Sequence, residues 1–199
     1  RATDGAMSEF PIPRPFPLET IRTERLVLRP LTIADAPELS RAVNHKDISE
    51  NTRIVHPYTL EDAYEFVYRI ERSYGTGDEI VWPIRTTDAG PLLGTVGLHL
   101  QRADRLAELG YWLHRDHRGK GYASEAATAA LAFGFNTLHL DRIYASWYHD
   151  NPASGRILDK IGMKHEGVLR AHSLRGGRSR DIVHVGLLRH EFLEMEKNR

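Results

Sequence analysis

The sequence predicts one mixed α/β domain, and three observations carry that expectation. Three strand-like runs, Ile80 to Thr86, Leu92 to Leu100 and Leu106 to His114, succeed one another with only polar breaks between them, the pattern of an antiparallel meander. Beyond them come an alanine-rich helix from about Gly121 to Phe135, the apolar strand Arg142 to Tyr148, and a helix bracketed by Asn151, Pro152 and Gly162. At 199 residues and 41% apolar, the chain can bury one core without disulfide or metal support. A meander that runs on into strand-helix units needs antiparallel and parallel pairing in one sheet. The expected architecture is therefore a central, mostly antiparallel sheet of about seven strands with helices on both faces.

The elements read as follows in chain order. Arg1 to Ala6, ahead of Met7, reads as vector-derived sequence. Prolines at 11, 13, 15 and 17 remove backbone donors and favour extended chain, so 1–17 is expected to be a tether. The domain is expected over 18–192, with 193–199 as a tail. Arg25 to Arg29 alternates at strand period, and Asp35, Pro37 and Glu38 then fall at cap, first-turn and third helical positions of a helix reaching about Val43. Thr59 caps a helix to about Ser73 whose Ala63, Phe66, Val67 and Ile70 form one apolar stripe. A closing hairpin joins Glu166–Ser173 to Ser179–Leu188 through Arg175-Gly-Gly-Arg178, since paired glycines accept positive φ.

Composition excludes several functions. Lys plus Arg and Asp plus Glu are equal at 27 each, without the basic excess of a direct DNA binder. The lack of cysteine removes disulfides, thiolate catalysis and Cys-ligated zinc, and suits a cytoplasmic protein. No apolar run approaches the ~20 residues of a membrane span. His114 and His117 have His-x-x-His spacing but no third ligand close in sequence, so no metal is expected.

The most informative segment runs from Trp112 to Ala126, where a strand ends, a glycine-spaced turn follows and a small-residue helix begins. The first N–H groups of a helix lack intrahelical partners and its dipole end is positive, so a pyrophosphate can accept several hydrogen bonds there. Gly119 and Gly121 let backbone approach closely, Ala123 keeps the first turn clear, and Arg118 and Lys120 add charge. Neither the Gly-x-x-x-x-Gly-Lys-Ser/Thr loop nor a Gly-x-Gly-x-x-Gly turn after a first strand is present.

Arg118-Gly-Lys-Gly-Tyr-Ala123 resembles the Arg/Gln-x-x-Gly-x-Gly/Ala signature of the GNAT superfamily of N-acetyltransferases. Arg25–Arg29 resembles the opening strand of that family, Ala107–Leu113 its fourth strand, and Asn151–Ser154 through Lys160–Met163 its later helix. Asn151, Ser154 and Glu166 to Arg170 fit the RimJ/RimL subgroup best, and the likeness spans Ile21 to Leu188. The resemblance implies acetyl-CoA as cosubstrate, held by Trp112, Leu113, Arg118, Gly119, Lys120, Gly121, Tyr122, Ala123, Asn151 and Ser154. It also implies direct transfer, with a main-chain N–H near Leu113 stabilising the oxyanion.

Glu108 stands where several GNAT enzymes carry a general base. A tyrosine that protonates the departing thiolate in many relatives is replaced here by Leu158, and Ser154 is the expected substitute. Deprotonating an α-amino group at pH 7 costs about 1.4 kcal/mol and a lysine about 4.6, which favours a protein N-terminus of ribosomal type as acceptor. A small amine, polyamine or aminoglycoside, is the alternative acceptor, and a non-catalytic acyl-CoA-binding module the alternative role. Ten acids against five bases between Thr32 and Glu79 would draw a cationic amine, while five bases against one acid from Lys164 to Arg180 would suit coenzyme phosphates or ribosomal RNA. The chain is expected to be a monomer or a homodimer.

Overall fold

The computed structural model describes residues 11–198. The expected vector-derived stretch lies outside the described residues. Eight strands form one sheet: Ile21–Arg22 (β1), Val27–Leu28 (β2), Glu79–Arg85 (β3), Gly94–Gln101 (β4), Leu106–Leu113 (β5), Arg142–Tyr148 (β6), Lys164–Arg175 (β7) and Arg178–Leu188 (β8). Their spatial order is β1-β2-β3-β4-β5-β6-β8-β7, and every pairing is antiparallel except β5 with β6. The mixed, mostly antiparallel sheet is as expected. Its first strand is not the single run Arg25 to Arg29 but a short hairpin of β1 and β2.

The helices are Ala36–Val43 (α1), Lys46–Asn51 (α2), Leu60–Thr76 (α3), Tyr122–Ala132 (α4), Pro152–Lys160 (α5) and Arg189–Lys197 (α6). Side-chain alternation sorts them between the faces of the sheet. Trp82 on β3 meets Phe133, in the π turn that extends α4, edge to face with ring centroids 5.1 Å apart. Val81, one residue away and on the other face, lines a cavity with Phe66 and Arg69 of α3. Thr59 caps α3 as expected, its hydroxyl accepting from Asp62 N–H at 3.1 Å while the Asp62 carboxylate accepts from Thr59 N–H at 2.7 Å. Gly77, at φ 72, ends the helix in the left-handed conformation. The closing turn carries Gly176 and Gly177 at φ 56 and 73.

Four expectations need correction. Asp35 does not cap α1 with its side chain: it is 2% exposed and accepts from Arg29, from Arg85 Nη2 at 2.9 Å and from Thr32 N–H at 2.9 Å. Burial opposes its charge, but the guanidiniums and the Thr32 amide prevail and hold its carboxyl below the ordinary range. Arg85 also meets Glu38 at 2.7 Å, and Glu38 accepts from Leu92 N–H, so this network pins α1 to β3 and the following turn. The proline-rich segment is not a free tether over its described part, because Ile12 and Phe16 are buried and Phe16 N–H donates to the Tyr74 carbonyl. The expected tail is helical as far as Lys197, continuing α6, whose first half is fixed by the Glu191 carboxylate accepting from Leu188 N–H and by Phe192 stacking on Phe135. The helix α2 was missing from the expectation altogether.

Candidate active site

The register of the sheet creates the site. β5 and β6 pair only from Leu106↔Arg142 to Glu108↔Tyr144, then part. His114 N–H donates to the Leu93 carbonyl, so alternation along the antiparallel ladder turns the N–H groups of Tyr111 and Leu113 toward the departed β6. A cavity of about 480 Å³ occupies this gap and runs under the chain between α2 and α3.

One end of the gap meets the start of α4. Its first intrahelical bond runs from Glu125 N–H to the Gly121 carbonyl, leaving the amides of Tyr122, Ala123 and Ser124 without partners inside the helix. Gly119 and Gly121 sit at φ 75 and 82 for different reasons. A Cβ on Gly119 would meet nothing within 4 Å, so conformation alone requires glycine, whereas one on Gly121 would press to 3.0 Å of the Arg25 guanidinium. Arg25, which the sequence did not single out, braces the loop: it donates to the Lys120 carbonyl at 2.8 Å, to Glu125 at 2.7 Å, and lies 5.1 Å over the Tyr122 ring. Burial works against the Glu125 charge, but the Thr23 hydroxyl and both Arg25 donors overcome it and depress its pKa.

The expected charges at the loop are exposed but engaged by protein partners. Arg118 pairs with Asp47 of α2 at 2.7 Å and donates to the Leu113 carbonyl at 3.0 Å, and Lys120 Nζ donates to the Asp116 carbonyl at 3.1 Å. Both hold the loop's shape. His114 Nε2 lies 3.0 Å from His45 Nε2, while the His114 and His117 ring centroids are 5.8 Å apart. Among the described residues no group of three or more such side chains is arranged to hold a metal ion.

At the other end lies a row of side chains that only the register assembles. Glu79, His99, Glu108 and Tyr144 stand opposite one another on four successive strands. Glu108 lines the cavity with Glu79 and His99. Arg53, between α2 and α3, holds Glu108 at 2.9 and 3.3 Å, and Arg69 of α3 holds Glu79. The acid excess of the first helices is thus not presented here: the charged residues lining the cavity are two acids, each matched by an arginine. Next to this row Gly97 faces Gly110, and a Cβ on Gly110 would meet nothing, so the cavity floor is bare backbone. Trp112 lines the same cavity beyond that floor. Interior strand glycines are the signal that could have revealed it.

Ser154, in the first turn of α5, meets a tyrosine from an unexpected element. Tyr111 Oη lies 2.9 Å from Ser154 Oγ and 3.2 Å from its carbonyl. Burial pushes the Tyr111 phenol up to about 12, against a smaller lowering by Ser154. Leu158 is buried beside them, and Trp147 on β6 keeps a buried Nε1 without a partner. Asn151 is the N-cap residue of α5, with Pro152 opening the helix; its carbonyl accepts from Ser154 N–H, and its side chain makes no cap bond. The hairpin's bases are partly engaged: Arg180 pairs with Asp150 and stacks 3.9 Å over Tyr148, and Lys164 meets Glu191 at 2.5 Å. Unsatisfied strand amides, an orphaned indole N–H and a glycine cradle at a helix start fit an extended cosubstrate ending in a pyrophosphate.

Comparison with known proteins agrees. An acetyltransferase (GNAT) domain profile matches residues 25–164. The uncharacterized N-acetyltransferase YoaA of Bacillus subtilis is 33% identical over 167 residues, covering 83% of this chain and 93% of YoaA. A spermidine N(1)-acetyltransferase of Vibrio cholerae is 28% identical, covering 72% of this chain and 85% of its own length. The structure of RimL, the ribosomal L7/L12 alpha-N-protein acetyltransferase, in complex with coenzyme A superposes with a TM-score of 0.78 over 85% of this chain and 98% of RimL, at 18% identity. With a split sheet, a glycine cradle at the helix start and a matching domain over most of its length, the chain belongs to the GNAT family and is an N-acetyltransferase.

Proposed function

We propose that the enzyme transfers the acetyl group of acetyl-CoA directly to an α-amino group, that of a protein N-terminus, with Glu108 as general base. The observation that carries this reading is the position of Glu108: on the cavity face, beside a bare floor, at the point where β5 and β6 part. Acetyl-CoA supplies an activated acyl carbon and a thiolate leaving group. Tyr122, Ala123 and Ser124 hold the pyrophosphate through main-chain amides, within a loop shaped by Gly119, Lys120, Gly121 and Arg118. Trp112 and Asn151 flank the pantetheine arm, and the N–H groups of Tyr111 and Leu113 face the developing oxyanion. Glu108 takes the amine proton, and Ser154 donates a hydrogen bond to the departing sulfur. Tyr111 Oη, 2.9 Å from Ser154 Oγ, orients that hydroxyl.

The spermidine-acetylating relative favours a second reading, a polyamine acceptor. The one-to-one pairing of acids and arginines in the cavity argues against it, because a polycation gains little from a site without net negative charge. Free-thiol release from acetyl-CoA, measured with N-terminal peptides, polyamines and aminoglycosides, decides between them. Cofactor binding without release on any acceptor would defeat both. E108Q should cost about a hundredfold in kcat/KM and flatten its acidic limb; an unchanged pH profile removes Glu108 as base.

A further inference from the structure

Glu108 meets an incoming amine with both of its oxygens already bonded to Arg53. The guanidinium meets the carboxylate at 2.9 and 3.3 Å, and the two side chains differ sharply in setting: Arg53 is 77% exposed, Glu108 only 20%. Arg53 stands on the irregular chain between α2 and α3, outside the sheet that fixes Glu108, so it is the partner free to move. An ammonium that takes over the Glu108 oxygens leaves this guanidinium with water alone at the cavity mouth. Another acid cannot readily take it over, since the remaining cavity carboxylate, Glu79, is already engaged by Arg69 and lies 3.7 Å from His99.

We infer that the acceptor brings its own replacement: an α-amine with a carboxylate close by, the ammonium taking Glu108 and the carboxylate taking Arg53. This rests on the reading of Glu108 as the amine-facing base, and it goes further by naming the acceptor class and the residue that selects it. One internal ion pair is exchanged for two across the interface, and both halves keep charge-assisted hydrogen bonds, with the planar guanidinium matched to a carboxylate. A polyamine has no group to offer Arg53. A free α-amino acid provides the carboxylate two bonds from the amine-bearing nitrogen; a chain end provides it when its first or second residue is Asp or Glu. The bare floor at Gly97 and Gly110 accommodates the compact head group in either case.

The test measures thiol release from acetyl-CoA by the intact enzyme and by R53Q and R53K, with matched acceptors. One arm compares alanine and glutamate with their α-carboxamides; the other compares short peptides bearing Asp or Asn at the second position. The wild-type enzyme should prefer the acid by about tenfold or more in kcat/KM in one arm, which identifies the source as free amino acid or chain end. R53Q should abolish that preference and R53K should retain part of it. Equal rates for acids and amides, a preference that survives R53Q, or a polyamine as the best acceptor would each overturn the inference. Failure of the base reading is seen separately, as an E108Q pH profile like that of wild type on whichever amine turns over.

Discussion

Arg53 closes over Glu108 with two hydrogen bonds that span 55 positions of chain. An ion pair with one partner largely in water is screened and costs side-chain entropy, so R53A should change the unfolding free energy by less than ~1 kcal/mol. Urea titration checks this. A larger loss would mean the pair organises the α2–α3 connection and that kinetic effects at Arg53 cannot be read as recognition.

Gly121 carries the loop's left-handed turn against Arg25. G121D should therefore lose acetyl-CoA binding by calorimetry, through backbone strain of roughly 1–3 kcal/mol and through a carboxylate beside the anion site. Affinity equal to wild type would rule out this loop as the pyrophosphate site.

Gly110 supplies the opposite case, since an added Cβ meets no protein atom. G110A should melt near wild type while a methyl group on the floor lowers kcat/KM about tenfold, read by paired thermal melts and thiol assays. Full activity would show that the reacting groups do not lie against this backbone.

Asp35 is the buried acid shared by Arg29 and Arg85; its loss leaves Arg29 without a carboxylate partner and Arg85 with Glu38 alone. D35N should destabilise by about 3 kcal/mol at neutrality, the scale for breaking a buried pair. Because the folded pKa is depressed, the wild-type advantage is complete above the ordinary carboxyl range near pH ~4 and is lost as pH falls through the folded value. Denaturant midpoints of both proteins should converge toward low pH.

Tyr111 and Ser154 act as one hydrogen-bonded unit. Y111F and S154A should each reduce kcat several-fold, and the double variant should be scarcely worse than S154A. Additive losses would separate their roles.

Much of this was legible in the chain because its signals are local. Arg142–Tyr148 is the strand expected from its apolar run, the Thr59–Asp62 cap stood in the sequence, and the loop at Gly119 and Gly121 is contiguous. What escaped was either short or distant. A six-residue helix such as Lys46–Asn51 has too few turns for a periodic stripe. Asp35 had the composition of a cap, but Arg29 took both of its oxygens and Arg85, fifty positions away, shares one of them. The Glu79, His99, Glu108 and Tyr144 row exists only through three strand registers, and Arg53 and Tyr111 joined the site by contacts spanning 55 and 43 positions.

The brief seam between β5 and β6 divides the sheet into two leaves joined along a spine three residue pairs long. A guest lying in that cleft and answering its idle amides would serve as the missing thread between the leaves. Occupancy and mechanical integrity are thereby coupled: the empty enzyme is the easier one to pull apart, and saturating cosubstrate should raise its resistance to heat and protease together.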